Sequence, residues 1–456
     1  MKKIQFFIAL WVSKGVQLLM RLLGRNATYL PGKVALKLCK DFLRLMTPPK
    51  TVIAITGTNG KTTVSNLVTS ILKENGYTIT NNSLGSNIQA GILAALMDDT
   101  TLLGKPKKDI AVLEVDERSS LLIYPYLKPD YFLCNNIMRD SIKRNAHTEF
   151  IRYIINKPLP ADTKLILNGD DLIASSLGTL GQPRVHFGMT AEKPTETKPQ
   201  HVQDIVYCPN CMQKLEAAYI RYNHIGRHHC PSCGFASPEL DYTVSQIDWQ
   251  GNTFTVEHNG QQWQFPLIHD NLVNIYNCCG VVALLHEFGL SYEQIYAGFS
   301  KAEIIKSRYE EVREGDIAIH MIMAKGQNPI ACGRIYDYVA KGSGENKGVI
   351  IIADDKYDNV GNVESTCWLY DCDYAPLADP SIGQIIFGGP RCKDQLLRAL
   401  LAGVDPNKMQ ITMNSAETSA MLSDACCKNV YLLYEMYRPE EGEVVKNALL
   451  ARGKEA

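Results

Sequence analysis

Two hydrophobic periods mark the first readable elements of the chain. Thr51 to Thr56 (Thr-Val-Ile-Ala-Ile-Thr) is a short unbroken apolar run, the pattern of a strand buried on both faces. Leu67, Val68, Ile71 and Leu72 then recur at helical spacing until Gly76, which predicts a helix with one buried face. An earlier apolar run, Ile4 to Val12, follows Lys2 and Lys3. It is short, Lys14 interrupts it, and no small-residue cleavage site follows before Gly24-Arg25, so it does not read as a signal peptide. An amphipathic helix covering part of the core is expected there. Phe6, Phe7, Leu10 and Trp11 beside Lys14, Arg21 and Arg25 also admit a weak membrane-surface contact.

Between the first strand and its helix lies Gly57-Thr58-Asn59-Gly60-Lys61-Thr62-Thr63. Glycines let the backbone approach an anion, and the following helix turns free N–H groups and its positive dipole end toward it. Lys61 adds a point charge, and Thr62 offers a hydroxyl to Mg²⁺. An ordinary strand-to-helix turn would not need Lys-Thr-Thr, so nucleotide phosphates are the expected ligand. The spacing is shorter than the common Walker loop, because Ile55 stands where that loop's first glycine would be.

Composition changes the picture in two ways. With 456 residues, 45% hydrophobic residues and a formal net charge of −1, the chain suits a folded multidomain cytoplasmic enzyme. The same balance excludes a typical nucleic-acid binder. Of fourteen cysteines, four stand as Cys208-Pro-Asn-Cys211 and Cys230-Pro-Ser-Cys233, with eighteen residues between the pairs. This is zinc-ribbon spacing, and four thiolates would leave a tetrahedral Zn²⁺ no open position, making it structural. Disulfides are the competing reading, disfavoured by the absence of a secretion signal. His224, His228 and His229 read as solvated loop residues, the other cysteines as core fillers, and Thr190 to Gln200 as a surface loop.

Gly-Thr-Asn-Gly-Lys-Thr resembles the phosphate loop of the Mur ligase superfamily, and other segments match it in order. They are Asn87 and Gly91 in Gly85–Ile92, Glu114 in Leu113–Glu117, Asn135–Asp140, Asn168-Gly-Asp-Asp171, and Asn274-Ile-Tyr-Asn277. The resemblance implies an α/β ATPase in which Lys61 meets the phosphates, Thr62 and Glu114 hold Mg²⁺, and Asn274 and Asn277 seat the nucleotide. Arg308, in Ser-Arg-Tyr-Glu, is similar to an arginine of the family's Gly-Arg-x-Glu motif at a domain junction. Ser141 stands where many members have a histidine, so that Mg²⁺ ligand does not carry over.

The cysteine ribbon, Gly24-Arg25 with Leu30–Ala35, and the Gly388–Val404 segment resemble one branch of that superfamily, the MurT subunits of lipid II isoglutaminyl synthase. That implies ATP-dependent amidation of the D-glutamate α-carboxylate in the lipid II stem peptide, through an acyl phosphate, at the inner face of the membrane. Ammonia would come from glutamine through a GatD-like glutaminase in a heterodimer. A carboxylate can orient a catalytic imidazole from another chain. The family segment similar to Ile351–Asn359 assigns that carboxylate to Asp355, with Asp354 as fallback. On composition alone the segment reads as a strand end and turn. Asp371 and Asp373 are secondary candidates at the subunit contact. Lys325–Pro329 carries two extra residues relative to the family, and Tyr434–Arg438 departs from its pattern.

The expected organisation is an N-terminal helical segment at 1–50, a central ATPase domain at 51–300 with the zinc ribbon inserted at 205–236, and a smaller C-terminal α/β domain at 301–456 that contacts the glutaminase. The UDP-binding domain of ordinary Mur ligases is expected to be absent. Two other readings stay open: a stand-alone ligase of the folylpolyglutamate-synthase type, joining an amino acid to a carboxylate, and a non-catalytic nucleotide-binding scaffold.

Overall fold

The computed structural model describes residues 2–83, 86–140, 145, 147–194, 202–268, 271–301, 309–324, 328–354, 356–357, 362–363, 366–435 and 438–455. Two compact units divide the chain. The first holds Met1–Met138, His147–Lys198 and Asp204–Glu303; the second holds Arg139–Ala146, Pro199–Gln203 and Ile304–Ala456.

In the first unit, nine strands among the described residues form one sheet. In chain order they are β1 (Thr51–Thr56), β2 (Ile79–Asn81), β3 (Ile110–Glu114), β4 (Tyr131–Cys134), β5 (Lys164–Asn168) and β6 (Arg184–Met189), then, after a separate hairpin of β7 (Glu216–Tyr222) and β8 (Ile225–His229), β9 (Tyr242–Asp248), β10 (Thr253–His258) and β11 (Gln261–Pro266). The spatial order is β11-β10-β9-β6-β5-β4-β1-β3-β2. Pairing is parallel from β2 to β9 and antiparallel between β9, β10 and β11. Chain direction reverses across the sheet at β1, which lies between β3 and β4. Open α/β sheets bind ligands at such a switch point, beyond the carboxyl ends of the strands.

The expected strand Thr51–Thr56 is β1, buried from Val52 onward, and the expected helix runs Lys61–Glu74. Leu67, Val68, Ile71 and Leu72 face its core, and Gly76 adopts a left-handed φ of 82° just beyond the end. The N-terminal run forms α1 (Lys2–Leu22), which packs on α2 (Leu30–Leu38). Gly32 touches the backbone of Ala90 so closely that a Cβ there would lie 1.8 Å from the Ala90 carbonyl oxygen. This contact accounts for glycine in the Leu-Pro-Gly-Lys segment.

The second unit carries a six-stranded sheet among the described residues: β12 (Tyr309–Glu314), β13 (Ile317–Ala324), β14 (Lys347–Ile352), β17 (Ile382–Gly388), β18 (Met409–Thr412) and β19 (Asn429–Glu435), in the order β12-β13-β19-β14-β17-β18. All neighbours are parallel except β12 and β13. The two-residue strands β15 (Lys356–Tyr357) and β16 (Asn362–Val363) pair after β14.

Candidate functional site

The loop after β1 is held open from both sides. Gly57 has φ 135° and Gly60 has φ 86°, both in the left-handed half of backbone space where a side chain is strained. A Cβ at Gly60 would also meet Asn277 Oδ1 at 2.2 Å. Asn136 grips the loop: its carbonyl accepts from Thr58 N (2.9 Å), its Oδ1 accepts from Asn59 N (2.9 Å), and its Nδ2 donates to the Asn59 carbonyl (3.1 Å). Thr58 Oγ1 both donates to the Met138 carbonyl (3.0 Å) and accepts from Met138 N (2.8 Å). Asn135 Nδ2 donates to Asn277 Oδ1 (3.0 Å), and Asn277 Nδ2 donates to Asn274 Oδ1 (3.2 Å). The Asn135-Asn136 segment and the helix bearing Asn274 and Asn277 thereby meet the glycine loop. The first turn of the helix at Lys61 faces the space above it with uncapped N–H groups, an anion-binding arrangement.

Charged groups converge on that space. Thr62 Oγ1 donates to Glu114 Oε2 (2.8 Å), and Asn87 Nδ2 donates to Glu114 Oε1 (3.0 Å). Asn82 fixes the end of β3 by bonding both the N–H and the carbonyl of Glu114. Lys61 Nζ lies 2.8 Å from Glu117 Oε1, in a pair whose side chains are 12% and 2% exposed, and it also donates to the Gly57 carbonyl. Burial disfavours the Lys61 charge, but Glu117, Asp116 and Glu114 outweigh it and raise its pKa. Glu117, which the sequence reading did not single out, is therefore the charge partner of the loop lysine. The chemical capacity is that of a polyanion and hard-cation site: helix N–H groups and an ammonium beside a hydroxyl and a carboxylate.

The cysteine hairpin sits close to this machinery. The four Sγ atoms of Cys208, Cys211, Cys230 and Cys233 lie within 4.8 Å of one another, a geometry that could hold one metal ion. Without a cation between them, four sulfurs this close cannot all ionise. Burial raises the Cys230 thiol, yet the N–H groups of Ser232 and Cys233 outweigh it and bring its pKa to about 7. Cys233 is pushed up to about 12, with an N–H bond from Phe235 opposed by burial and by the other three sulfurs. A thiophilic cation would relieve that repulsion.

The hairpin histidines correct the sequence reading. His229 is half-exposed and near Glu216, as expected of a loop residue. His224 and His228, however, are buried, at 2% and 7% exposure. His224 Nε2 lies 3.0 Å from Asp171 Oδ1, with Asp204 Oδ2 3.6 Å from its other ring nitrogen. Asp171 in turn accepts from the backbone of Ile173, Ala174 and Ile137, the last at 2.7 Å from the residue after Asn136. Next to it, buried Asp170 accepts from Tyr276 (2.6 Å) and Met189 N (3.0 Å), and its carbonyl accepts from Gly226 of β8. Packing of the hairpin tip on the Asp170-Asp171 turn buries His224, which local sequence does not reveal.

In the second unit, Asp354 follows β14 and pairs with Arg438 at 2.9 Å. Arg438 belongs to the segment that departs from the family pattern. Asp371 pairs with Arg139 at 3.3 Å, and Asp373 accepts from the Ala375 N–H. Asp355, Arg308, Ser141, Gly85, residues 195–200, Lys325–Gln327, Met436 and Tyr437 lie outside the described residues.

Two family models match separate parts of the chain: the Mur ligase middle domain over residues 55–230 and the MurT ligase C-terminal domain over residues 326–436. A pseudomurein peptide ligase type C from Methanothermus fervidus shares the fold, with a TM-score of 0.64 at 17% identity over 90% of this chain and 81% of that one. The family models and the shared fold thus mark an α/β protein of the Mur ligase type. The lipid II isoglutaminyl synthase (glutamine-hydrolyzing) subunit MurT of Staphylococcus aureus is 32% identical over 391 residues, 84% of this chain and 85% of the relative. The subunit of the same name from Streptococcus pneumoniae is 29% identical over 416 residues, 90% of each chain. The chain belongs to the MurT family of ligases.

Proposed function

We propose that this chain is the synthetase subunit of a lipid II isoglutaminyl synthase, converting the α-carboxylate of D-glutamate in the stem peptide to an amide. The observation that carries the reading is the convergence of Lys61, Thr62, Glu114 and Glu117 at the first turn of a helix, in a chain similar over most of its length to MurT subunits. Bound Mg-ATP supplies the phosphoryl group that activates the carboxylate as an acyl phosphate, which ammonia converts to the amide with loss of phosphate.

The residues have separable tasks. The N–H groups from Gly60 through Thr63, at the uncapped helix start, cradle phosphate oxygens while Asn136 holds those of Thr58 and Asn59, and Lys61 neutralises charge on the transferring group. Thr62 and Glu114 present oxygens of the type Mg²⁺ takes, already in mutual contact. Asn274 and Asn277 seat the nucleotide, and Arg308 serves the same site. Cys208, Cys211, Cys230 and Cys233 hold a structural Zn²⁺. The central domain spans 51–300 with the ribbon at 205–236, and 301–456 forms the domain that meets a GatD-like glutaminase. Asp355 completes that partner's catalytic triad, with Asp354 as the alternative; the Arg438 pairing favours Asp355, since it already engages Asp354.

The test uses the chain co-expressed with its glutaminase. Asp355→Asn is expected to abolish glutamine-supported amidation and leave ammonium-supported amidation at the wild-type rate. Equal loss with both nitrogen sources would reject the trans-triad role.

A further inference from the structure

An α-helix packed on a globular core normally turns its apolar face inward. In α1 a second, larger apolar face turns outward as well. The buried positions include Ser13 and Gln17, whose side chain donates to the Ala94 carbonyl, alongside Phe6, Ala9 and Leu10. Ile4, Ile8, Trp11, Val12, Leu18, Leu19 and Leu22 face outward and are all exposed, Leu18 by 61% and Leu22 by 75%. Projected at about 100° per residue, these seven fall within an arc of about 120°, a continuous stripe. The stripe broadens at Trp11, whose Nε1 donates to the Leu102 carbonyl at 2.9 Å, bringing in exposed Leu102 and Leu103.

Charge says what covers this face. Residues 2–50 contain ten Lys or Arg and one acidic residue, Asp41, in a chain whose formal net charge is −1. The basic excess lies in the N-terminal segment that contains α1; the helix itself carries Lys2, Lys3, Lys14 and Arg21, of which Lys2 and Arg21 pair with Asp41 and Asp98, and Arg25, Lys33, Lys37, Lys40, Arg44 and Lys50 follow it. No helix among the described residues is long and apolar enough to cross a membrane. An outward stripe of Leu, Ile and Trp flanked by lysines and arginines suits the boundary of an anionic lipid bilayer, where apolar side chains enter the acyl region and cations meet headgroups. A protein partner would have to match the cationic charge with an equally acidic, apolar surface. We propose that the outer face of α1, with Leu102 and Leu103, docks the protein on anionic membrane surfaces, lying in the interface plane.

Purified full-length protein would be sedimented with vesicles of phosphatidylcholine alone or of phosphatidylcholine with phosphatidylglycerol; neither arm needs substrate, so the outcome is independent of the proposed reaction. Binding is expected to be at least about tenfold stronger to the anionic vesicles and to weaken with salt. The double substitution Leu18→Ser with Leu22→Ser, at exposed positions, should lower partitioning by about tenfold or more. Lys3→Gln with Arg25→Gln should remove the preference for anionic lipid while leaving the apolar stripe intact. Trp11 emission should shift to the blue on vesicle addition and stay unshifted in the leucine variant. Equal partitioning into both vesicle types, or vesicle binding unchanged in the leucine variant, would overturn the proposal. A wild-type dimer that the leucine variant converts to monomer, without vesicle binding by either, would overturn it in favour of a second copy as occupant.

Discussion

His224 at the tip of the cysteine hairpin and Asp171 at the turn after β5 form a fully buried ion pair, 3.0 Å apart. Asp171 also bonds Ile137 N, and Asn136, one residue earlier, grips the glycine loop. The hairpin is thus connected to the nucleotide-type loop through three side chains. His224→Ala leaves the Asp171 carboxylate buried without its cation, so unfolding stability should fall by about 3 kcal/mol or more, measured by denaturant titration. Loss of nucleotide affinity in a still-folded His224→Asn protein would show that the pair also positions the loop.

The same pair sets a pH dependence. Burial opposes the His224 charge, but Asp171 and Asp204 outweigh it and bring its pKa to about 10, above the unfolded value. A raised folded pKa gives stability that is complete below the unfolded pKa, about 6.5, and is lost as pH rises toward about 10. The unfolding midpoint should therefore decline between those limits, and the decline should be shallower in His224→Gln. A flat profile for the wild type over that range would contradict the charge assigned to His224.

Lys61→Ala should reduce amide formation by about 100-fold or more, since it removes a preorganised cation from the transferring group. It also removes the cation that pairs with buried Glu117, so the double variant Lys61→Ala/Glu117→Gln should regain stability but not activity. Thermal unfolding and single-turnover kinetics on both proteins separate the two effects.

Gly60→Ala places a Cβ against Asn277 Oδ1 and holds an L-residue at φ 86°. The backbone conformation alone costs about 1–2 kcal/mol. Nucleotide affinity should fall even where the protein folds, as read by isothermal titration of ADP.

Metal analysis of protein purified without chelator should find one zinc per chain, lost in Cys230→Ser. Substitution by Co²⁺ should give the absorption of a tetrahedral thiolate site, and chelation should lower the thermal midpoint. Zinc content unchanged in the serine variant would contradict the four-cysteine assignment.

The sequence carried the strand–loop–helix at Thr51–Glu74 because both periods and the glycine chemistry are local. The four cysteines were legible for the same reason: metal-ligand spacing survives in one dimension. Glu117 was not, since a glutamate in a short turn after a strand reads as a solvated or capping group, and its meaning depends on Lys61 arriving from 56 residues away. His224 was misread because a polar turn between two strands is usually wet, and only packing of the hairpin on Asp171 dries it. For α1, periodicity revealed two faces without saying which one turns inward; the hydrogen bonds of Gln17 and Lys14 to the carbonyls at Ala94 and Met97 decide that.

Incubation of the purified chain with lipid II, Mg-ATP and ammonium, with the stem peptide followed by mass spectrometry, decides whether the chain is an amidating ligase. The expected result is ATP-dependent conversion of the D-glutamate α-carboxylate to its amide, absent in Lys61→Ala. Unchanged lipid II from a folded, nucleotide-binding protein would contradict it. Addition of an amino acid to a carboxylate acceptor by the same protein would then identify a stand-alone Mur-type ligase.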